Sequence, residues 1–194
     1  MALSETDLIL QAKSGNHSAF EELIYRYDKT VLGIALKFTC DRDEAKDVYQ
    51  EVFIRVYKGL KNFEMKSEFS TWLYRITTNV CLTHKSKSKK HLQTSINEQF
   101  ESDEDGTNKY DLIDEEANPA EYMLNRDLGK IINNAVESLS SKQRITFILK
   151  HYEGYKIREI AVMLNCKEGT IKKYLFDAVR NLRKMLEPVH QSAY

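Results

Sequence analysis

The chain has 194 residues, and its 29 basic and 29 acidic side chains give a formal net charge of zero. With only two prolines, seven glycines and 42% apolar residues, it has the composition of a soluble, helix-rich protein and not of collagen or a disordered tail. No apolar run approaches a membrane span, and the N-terminus MALSETDLIL lacks the order of a signal peptide, so a cytoplasmic protein is expected.

Two segments near the start have helical periodicity. Apolar residues recur at three- and four-residue spacing from Ala19 to Ile34 and again from Ala45 to Leu60. Asp41 precedes the second segment, where an acidic residue suits the beginning of a helix. No segment shows sustained two-residue alternation, so we expect no strands.

Charge is distributed unevenly after these helices. Residues 84–91, HKSKSKKH, are basic, whereas residues 97–121 contain ten acidic side chains against the single Lys109. Such a block repels itself and has few apolar side chains to bury. The sequence therefore predicts a flexible acidic linker over residues 92–118.

Pro119 is expected to open the next helix after the linker. Apolar periodicity predicts helices near 119–137, 141–152, 157–164 and 169–186. The predicted fold class is all-α, with two small helical domains, 1–91 and 119–194, joined by the linker.

Residues 157–186 have the pattern of a helix-turn-helix. Ala161 is small where the two helices approach, Asn165 tolerates the left-handed conformation that ends a helix, and Cys166 falls where a buried residue is expected. A recognition helix places residues near its N-terminus against base edges, with cations along the phosphates. The alternative is a helical hairpin with a solvated polar face.

The charge of this segment favours DNA binding. Residues 142–184 carry eleven Lys or Arg against four Asp or Glu. An excess of about seven positive charges on one small domain is typical of nucleic-acid binding. If the two domains pack together in the free chain, we expect this basic face to be partly hidden against the linker or the first domain.

Residues 69–90, FSTWLYRITTNVCLTHKSKSKK, mix aromatic, polar and cationic side chains. The members are Phe69, Trp72, Tyr74, Arg75, Thr78, Asn79 and the lysines that follow. This mixture suits stacking on unpaired bases beside a phosphate track. The alternative is that some of the aromatic residues are simply core.

Together these stretches resemble the extracytoplasmic-function (group IV) sigma factors of the sigma-70 family. The resemblance covers DEAKDVYQEVFIRVYKGLKNF, FSTWLYRITTN, the acidic linker and the helix-turn-helix in that order, roughly residues 7–85 and 120–186. It implies a dissociable subunit, monomeric when free and not inserted in membranes. This subunit would bind core RNA polymerase, read and melt promoter DNA, and be controlled by an anti-sigma factor.

The resemblance also implies roles for individual residues. Those matching the motif that docks on the clamp helices of the polymerase are Asp47, Gln50, Glu51 and Arg55. Those matching the segments that open the −10 element and hold a flipped base are Phe63, Phe69, Trp72, Arg75, Thr78, Asn79 and Lys85. Those placed at the −35 element, in a domain that also touches the polymerase flap, are Lys167, Glu168, Thr170, Lys172, Lys173, Asp177 and Arg180.

The recognition helix departs from the family pattern. Lys167 stands where members have Ser or Thr, residues 173–174 replace Ser-Arg, and residues 177–179 replace Arg-Ala-Arg. Several phosphate-binding arginines of the family are therefore missing. The cations available to replace them are Lys172, Lys173, Arg180 and Arg183.

Two rival functions belong to other classes. A stand-alone helix-turn-helix regulator, acting as a homodimer, would leave residues 41–85 and the acidic block unexplained. A small helical enzyme is disfavoured because the sequence has no paired carboxylates, no nucleophile with a partner base and no phosphate-binding glycine loop. The three cysteines and five histidines are scattered, so we predict no cofactor and no metal site.

The charge block motivates a hypothesis about residues 97–118. We hypothesise that they mimic nucleic acid in a cationic channel of the polymerase and leave as the transcript grows. Unchanged initiation and promoter escape after neutralising these acids to Asn and Gln would refute it. The free chain is further expected to bind DNA weakly.

Overall fold

The computed structural model describes residues 3–95, 129 and 131–191 of the chain. The regular structure of these stretches is entirely helical, which confirms the predicted fold class. The helices are α1 (Glu5–Lys13), α2 (His17–Tyr25), α3 (Asp28–Thr39), α4 (Arg42–Leu60), α5 (Phe69–Ser95), α6 (131–138), α7 (Ser141–Phe147), α8 (Ile157–Met163) and α9 (Glu168–Gln191), with a π-helical turn at Ile148–Tyr152. The acidic segment 97–118 lies outside the described residues.

The helices of the second half fall where the sequence predicted them. The predictions near 141–152, 157–164 and 169–186 are confirmed by α7 with its π-helical turn, α8 and α9. Helix α6 matches the last part of the helix predicted near 119–137 and ends one residue later; the first part of that range lies outside the described residues. Helix α5 continues as far as Ser95, so the first residues of the predicted linker are helical.

Side-chain caps explain where helices begin. Asp41 Oδ1 accepts hydrogen bonds from the main-chain N–H groups of Asp43 and Glu44, at 2.9 and 2.7 Å. Ser140 and Gln143 form a reciprocal capping box at α7. These bonds satisfy donors that the first turn of a helix leaves without a partner.

The turn between α8 and α9 confirms the predicted helix-turn-helix. Asn165 has a φ of 49°, in the left-handed region. The Cys166 N–H donates to the Ala161 carbonyl at 2.9 Å, which closes the turn. Ala161 is buried, and Cys166 is half-buried against the core.

Helices α1 to α5 enclose an apolar core. Its fully buried members include Leu8, Leu23, Val31, Ile34, Val48, Val52, Val56 and Leu73. Fully burying a side chain of this size contributes about 1.5–3 kcal/mol. The core therefore holds α4 and α5 in a fixed relation.

The two halves of the chain, residues 3–95 and 131–191, pack against each other. Helix α5 lies against α8, and α3 lies against the π-helical turn. The core of the first half continues into the second half through Ile145, Ile148, Leu149, Ile160, Met163 and Ile171. A smaller cluster packs α6 on α9. None of the helices in the described part of the chain is long and apolar enough to cross a membrane.

Candidate nucleic-acid interface

An aromatic cluster joins the loop after α4 to the start of α5. The Phe63 ring packs against Trp72 and Phe69, with ring centroids 4.9 and 5.8 Å away. Phe63 and Phe69 are only 5% and 2% exposed, whereas Trp72 is half-buried. A Cβ on Gly59 would lie 3.2 Å from Trp72 Cζ2, so the indole rests on the backbone of α4. In this arrangement the buried rings of Phe63 and Phe69 support the loop from inside. Part of the Trp72 ring remains exposed and can contact a ligand.

One face of α5 presents polar side chains beside this cluster. Trp72, Arg75 and Asn79 have three- and four-residue spacing, and Arg75 and Asn79 are exposed. Thr78 is buried: its hydroxyl donates to the Arg75 carbonyl at 3.0 Å and lies 3.5 Å from the carbonyl oxygen of Met163 in the other half. The structure therefore brings Trp72, Arg75 and Asn79 together and removes Thr78 from the surface.

The α4–α5 loop, residues 61–68, is tied to the first helix. Lys13 Nζ donates a 2.7 Å hydrogen bond to the Phe63 carbonyl oxygen. Met65, at the tip, has a φ of 55° and is 38% exposed, and its two neighbours form an ion pair with each other. Sequence reasoning missed Lys13 because the contact joins residues 50 positions apart.

Helix α4 carries the residues predicted to meet the polymerase. Asp47 and Gln50 are exposed, and Glu51 and Arg55 are partly exposed. Arg55 Nε and Glu51 Oε1 lie 2.7 Å apart and form an ion pair between residues one helical turn apart. All four residues belong to one helix, and the fixed core beneath it keeps their spacing.

An apolar groove adjoins this surface, and sequence reasoning did not predict it. It has a volume of about 470 Å³ and is lined by Phe20, Tyr49, Gln50, Phe53, Ile54, Tyr57 and Lys58. Ile54 and Tyr57 are 47% and 54% exposed. Their three-residue spacing on a helix whose core face is already occupied is the sequence signal that could have indicated it.

The predicted −35 residues lie on or next to helix α9. The carbonyl oxygen of Lys167 accepts from the Thr170 N–H at 2.9 Å, which begins the helix. The exposed members are Lys167, Glu168, Lys172, Lys173 and Arg180, and the half-buried ones are Thr170 and Asp177. Arg180 pairs with Asp177 at 3.3 Å and lies over the exposed ring of Phe176 at 5.9 Å.

The packing of the halves leaves the basic face of residues 142–184 largely accessible. Of its eleven cations nine are exposed, Lys150 is half-buried, and Arg144 is only 2% exposed. Within the described residues the predicted partial hiding of this face against the first half is limited to Arg144. Hiding against the acidic linker concerns residues outside the described ranges, so that part stays a prediction. The halves join mainly through apolar side chains, because burying unpaired cations costs more than burying apolar groups.

Charged groups also meet where α3 ends. Burial raises the pKa of the Cys40 thiol, while Arg144 and Lys85 act in the opposite direction. Lys85 is half-buried here, and Glu44 Oε2 and His84 Nδ1 lie 3.8 Å apart.

Among the described residues no group of three or more His, Cys, Asp or Glu side chains could hold a metal ion.

Comparison with known proteins assigns the chain to a family. The family model for Sigma-70 region 2 matches residues 23–91, and the model for Sigma-70, region 4 matches residues 130–182. The chain is 30% identical to the RNA polymerase sigma-H factor of Pseudomonas aeruginosa, over 97% of each protein. The chain belongs to the sigma-70 family of sigma factors. It is also 29% identical to the ECF RNA polymerase sigma-E factor of Escherichia coli K12, over 96% of each, and the extracytoplasmic-function type is confirmed.

Solved structures share the fold of this sigma factor. CnrH, in complex with the cytosolic domain of CnrY, has a TM-score of 0.64 and 20% identity, covering 95% of this chain and 97% of that one. RpoE of Bartonella quintana, in complex with the anti-sigma factor NepR, has a TM-score of 0.64 and 23% identity, covering 87% and 96%. At these identities the likeness shows the fold.

Polar contacts accompany the apolar packing between the halves of the sigma factor. Lys37 Nζ lies 3.0 Å from Glu153 Oε1 and 5.1 Å from the centre of the Tyr152 ring. The rings of Tyr74 and Tyr155 lie 5.4 Å apart, measured between their centroids, where α5 meets the second half. Burial raises the pKa of both phenols. The ion pair on α3 and the tyrosine contact on α5 therefore add to the apolar packing that joins the halves.

Proposed function

We propose that this sigma factor docks on core RNA polymerase through α4, opens the −10 element with the α4–α5 loop and α5, and reads the −35 element with α9. The observation that carries the proposal is that one chain presents both the Trp72–Arg75–Asn79 face and the recognition helix at its surface. Residues 1–91 and 119–194 form the two functional domains, with 92–118 between them. The protein acts in the cytoplasm as a subunit and not as a catalyst.

At the −10 element, Trp72, Asn79 and Arg75 each contact a different part of the captured nucleotide. Unstacking a base costs a few kcal/mol, which stacking on the Trp72 ring offsets by about 1–3 kcal/mol. Asn79 supplies an amide that both donates and accepts, which suits a base edge. Arg75, between them on the same face, suits the adjacent phosphate. Phe63 and Phe69 take part from inside by holding Trp72 in place.

At the −35 element the first turns of α9 enter the major groove. Glu168 and Thr170 lie near its N-terminus, where a recognition helix contacts base edges. Lys172 and Lys173 follow as phosphate contacts. Because the polymerase itself contributes phosphate contacts, a sigma factor with a net charge of zero need not hold DNA by its own charge.

The groove beside α4 completes the polymerase-binding surface. Asp47 and Gln50 supply polar contacts, and Ile54 and Tyr57 supply exposed apolar area. Interfaces of this kind place an apolar centre inside a polar rim. We therefore assign the groove to the apolar side chains of the clamp helices.

The two halves must separate for this function. Positions −10 and −35 are about 25 base pairs apart, which is about 85 Å of duplex at about 3.4 Å per pair. A compact chain of 194 residues has a radius of gyration of only about 16 Å. The packed arrangement is thus the free state, in which Thr78 is buried under the second half, and DNA binding by the free chain is weak. An anti-sigma factor would prevent this separation. RpoE of Bartonella quintana, which shares the fold, is bound to the anti-sigma factor NepR in its solved structure.

Run-off transcription tests the proposal. Core polymerase of the host, with and without the chain, is supplied with genomic fragments, and co-elution of chain and core is measured in parallel. We expect a stable complex and RNA that starts at defined positions only when the chain is present. Failure of the two to associate, with no defined start, would overturn the proposal. A stable dimer of the free chain on palindromic DNA would favour the rival regulator.

A further inference from the structure

We propose that Lys13 is a positioning residue for the α4–α5 loop, and that it thereby sets how selectively the sigma factor captures its −10 base. This inference rests on the proposed function, because it concerns the loop beside the Trp72–Arg75–Asn79 face. No residue of α1 has been placed in that site by the resemblance or by the family models, which begin at residue 23.

The contact fixes the loop where α4 ends. The main-chain N–H groups of Asn62 and Phe63 donate back to Gly59 and Leu60, at 3.0 Å each, so the helix closes in tight turns. The Phe63 carbonyl then accepts from the half-buried Lys13 ammonium at 2.7 Å. A charged donor makes this bond stronger than a neutral one. A cation just beyond a helix C-terminus is also favoured by the helix dipole.

Besides the N–H bond to Leu60, Phe63 is consequently held at two further points. Its ring is fixed between Phe69 and Trp72, and its carbonyl is fixed by Lys13. The ring contacts alone would allow the peptide group that carries the Phe63 carbonyl to rotate. The hydrogen bond from Lys13 to this carbonyl prevents that rotation. Lys13 therefore determines the direction in which the chain leaves Phe63.

That direction decides where the tip of the loop lies. Met65 follows two residues later in the left-handed region, exposed and without a glycine's freedom to change conformation. The Trp72 ring that contacts Phe63 is the same ring that would stack on a captured base. A loop released from Lys13 would lie at a different distance from Trp72. The site between the loop and this ring would then discriminate less among the four bases.

A competing explanation is that Lys13 only stabilises the packing of α1. Both explanations predict a lower free energy of unfolding for Lys13→Met. They differ because only positioning predicts a change of base selectivity among correctly folded molecules. Lys13→Arg keeps the charged donor, so it is expected to restore that selectivity. Lys29→Met, which removes an exposed lysine from α3, is the matched control for charge.

The experiment uses full-length chain with core polymerase on a promoter mapped by run-off transcription. Each variant is tested on a pre-opened version of that promoter, in which the template strand is mismatched and the non-template −10 bases are varied one at a time. We expect Lys13→Met to lose about tenfold or more in discrimination at the captured base, because tenfold corresponds to the lower end of the range for one charge-assisted hydrogen bond. Lys13→Arg and Lys29→Met are expected to discriminate like the wild type.

Hydrogen exchange of the free chain gives a readout without DNA. Amides of residues 61–68 are expected to exchange faster in Lys13→Met, with those of α4 unchanged. Unchanged discrimination and unchanged loop exchange in Lys13→Met would overturn the inference and leave the proposed function intact. If the wild type itself starts no RNA or shows no base preference, the proposed function fails instead.

Discussion

The guanidinium of Arg144 caps the end of helix α3 from the other half of the molecule. Its Nη1 donates a 2.6 Å hydrogen bond to the carbonyl oxygen of Phe38, 106 residues away in the chain, and its Cζ lies 5.7 Å from the centre of the Phe38 ring. Phe38 belongs to the last turn of α3, whose carbonyls have no partner within the helix. A cation at this end of a helix is favourable, so one buried side chain connects the two halves.

Replacing Arg144 should therefore open the free chain. Arg144→Ala removes a charge-assisted hydrogen bond worth about 1.5–3 kcal/mol and leaves the Phe38 carbonyl buried without this donor. We expect a larger radius of gyration in small-angle X-ray scattering and stronger binding of promoter DNA by the free chain. Binding of the polymerase complex to the same DNA should change little, because the proposed function has the halves separate in that complex.

Arg158→Ala is the matched control for this variant. Arg158 has the same charge and lies in the same half, but it is exposed on α8. It should leave the radius of gyration unchanged. A compact Arg144→Ala chain that unfolds as a single unit and binds DNA no better than the wild type would contradict the prediction.

The ion pair between Lys37 and Glu153 should contribute less than Arg144. The Lys37 side chain is 38% exposed and that of Glu153 14%, so solvent and salt screen the attraction. A double-mutant cycle with Lys37→Met and Glu153→Gln, measured by urea unfolding, is expected to give a coupling of about 0.5–1 kcal/mol at low salt. The coupling should shrink when salt is added. A coupling near zero would mean that the Tyr152 ring, and not Glu153, holds Lys37.

Tyr74 and Tyr155 should make the packing of the halves weaken in alkali. Burial raises the pKa of each phenol above its ordinary value of 10.0, so the folded state keeps these protons to higher pH than the unfolded chain. Their contribution to the free energy of unfolding is complete below about pH 10 and is lost as pH rises through the folded-state pKa values. For each phenol this free energy falls by up to about 1.4 kcal/mol per pH unit. The free energy of unfolding, measured with urea from about pH 8 to about pH 11, should fall.

Tyr155→Phe isolates this effect from other groups that titrate in alkali. The variant keeps the ring but has no phenol to ionise, so its loss of stability with pH should be shallower than that of the wild type. Tyr25→Phe, at an exposed position, should keep the wild-type slope. Equal slopes in all three proteins would show that these two phenols do not link folding to pH.

Local features of the fold were predictable from the sequence, because neighbouring residues determine them. Asp41 caps α4 through bonds to residues two and three positions later, and Asn165 turns the chain by its own conformation. The contacts of Lys13 with Phe63 and of Arg144 with Phe38 were not predictable, since they join residues far apart in the chain.

The aromatic residues and cations show a second limit of sequence reasoning. Phe63 and Phe69 fit both a stacking surface and a core, because an aromatic ring gains from contact with either a base or other apolar groups. Only the packing shows that both rings are buried. Arg144 likewise counted toward the basic face, although its side chain faces the other half.

The lysines at the start of α9 should act on DNA through the phosphates. Lys172→Ala and Lys173→Ala are each expected to weaken binding of the polymerase complex to its promoter about equally across −35 sequences. Each should lower the slope of log affinity against log salt by about one. Lys184→Ala, on a later turn of α9, should leave the slope nearly unchanged. A change in sequence preference without a change in slope would assign Lys172 or Lys173 to a base edge instead.

Exposed apolar area beside α4 should contribute to binding of the polymerase. Ile54 is 47% exposed at the edge of the groove, and burying its side chain against a partner is worth about 1–2 kcal/mol. Ile54→Ala should therefore weaken binding to core about tenfold, measured by fluorescence titration of labelled chain. Leu10→Ala, a change of the same size at a leucine 53% exposed on α1, should bind like the wild type. Equal weakening by both variants would mean that the polymerase covers a wider surface than the groove. If Ile54→Ala does not weaken binding, the groove is not part of the interface.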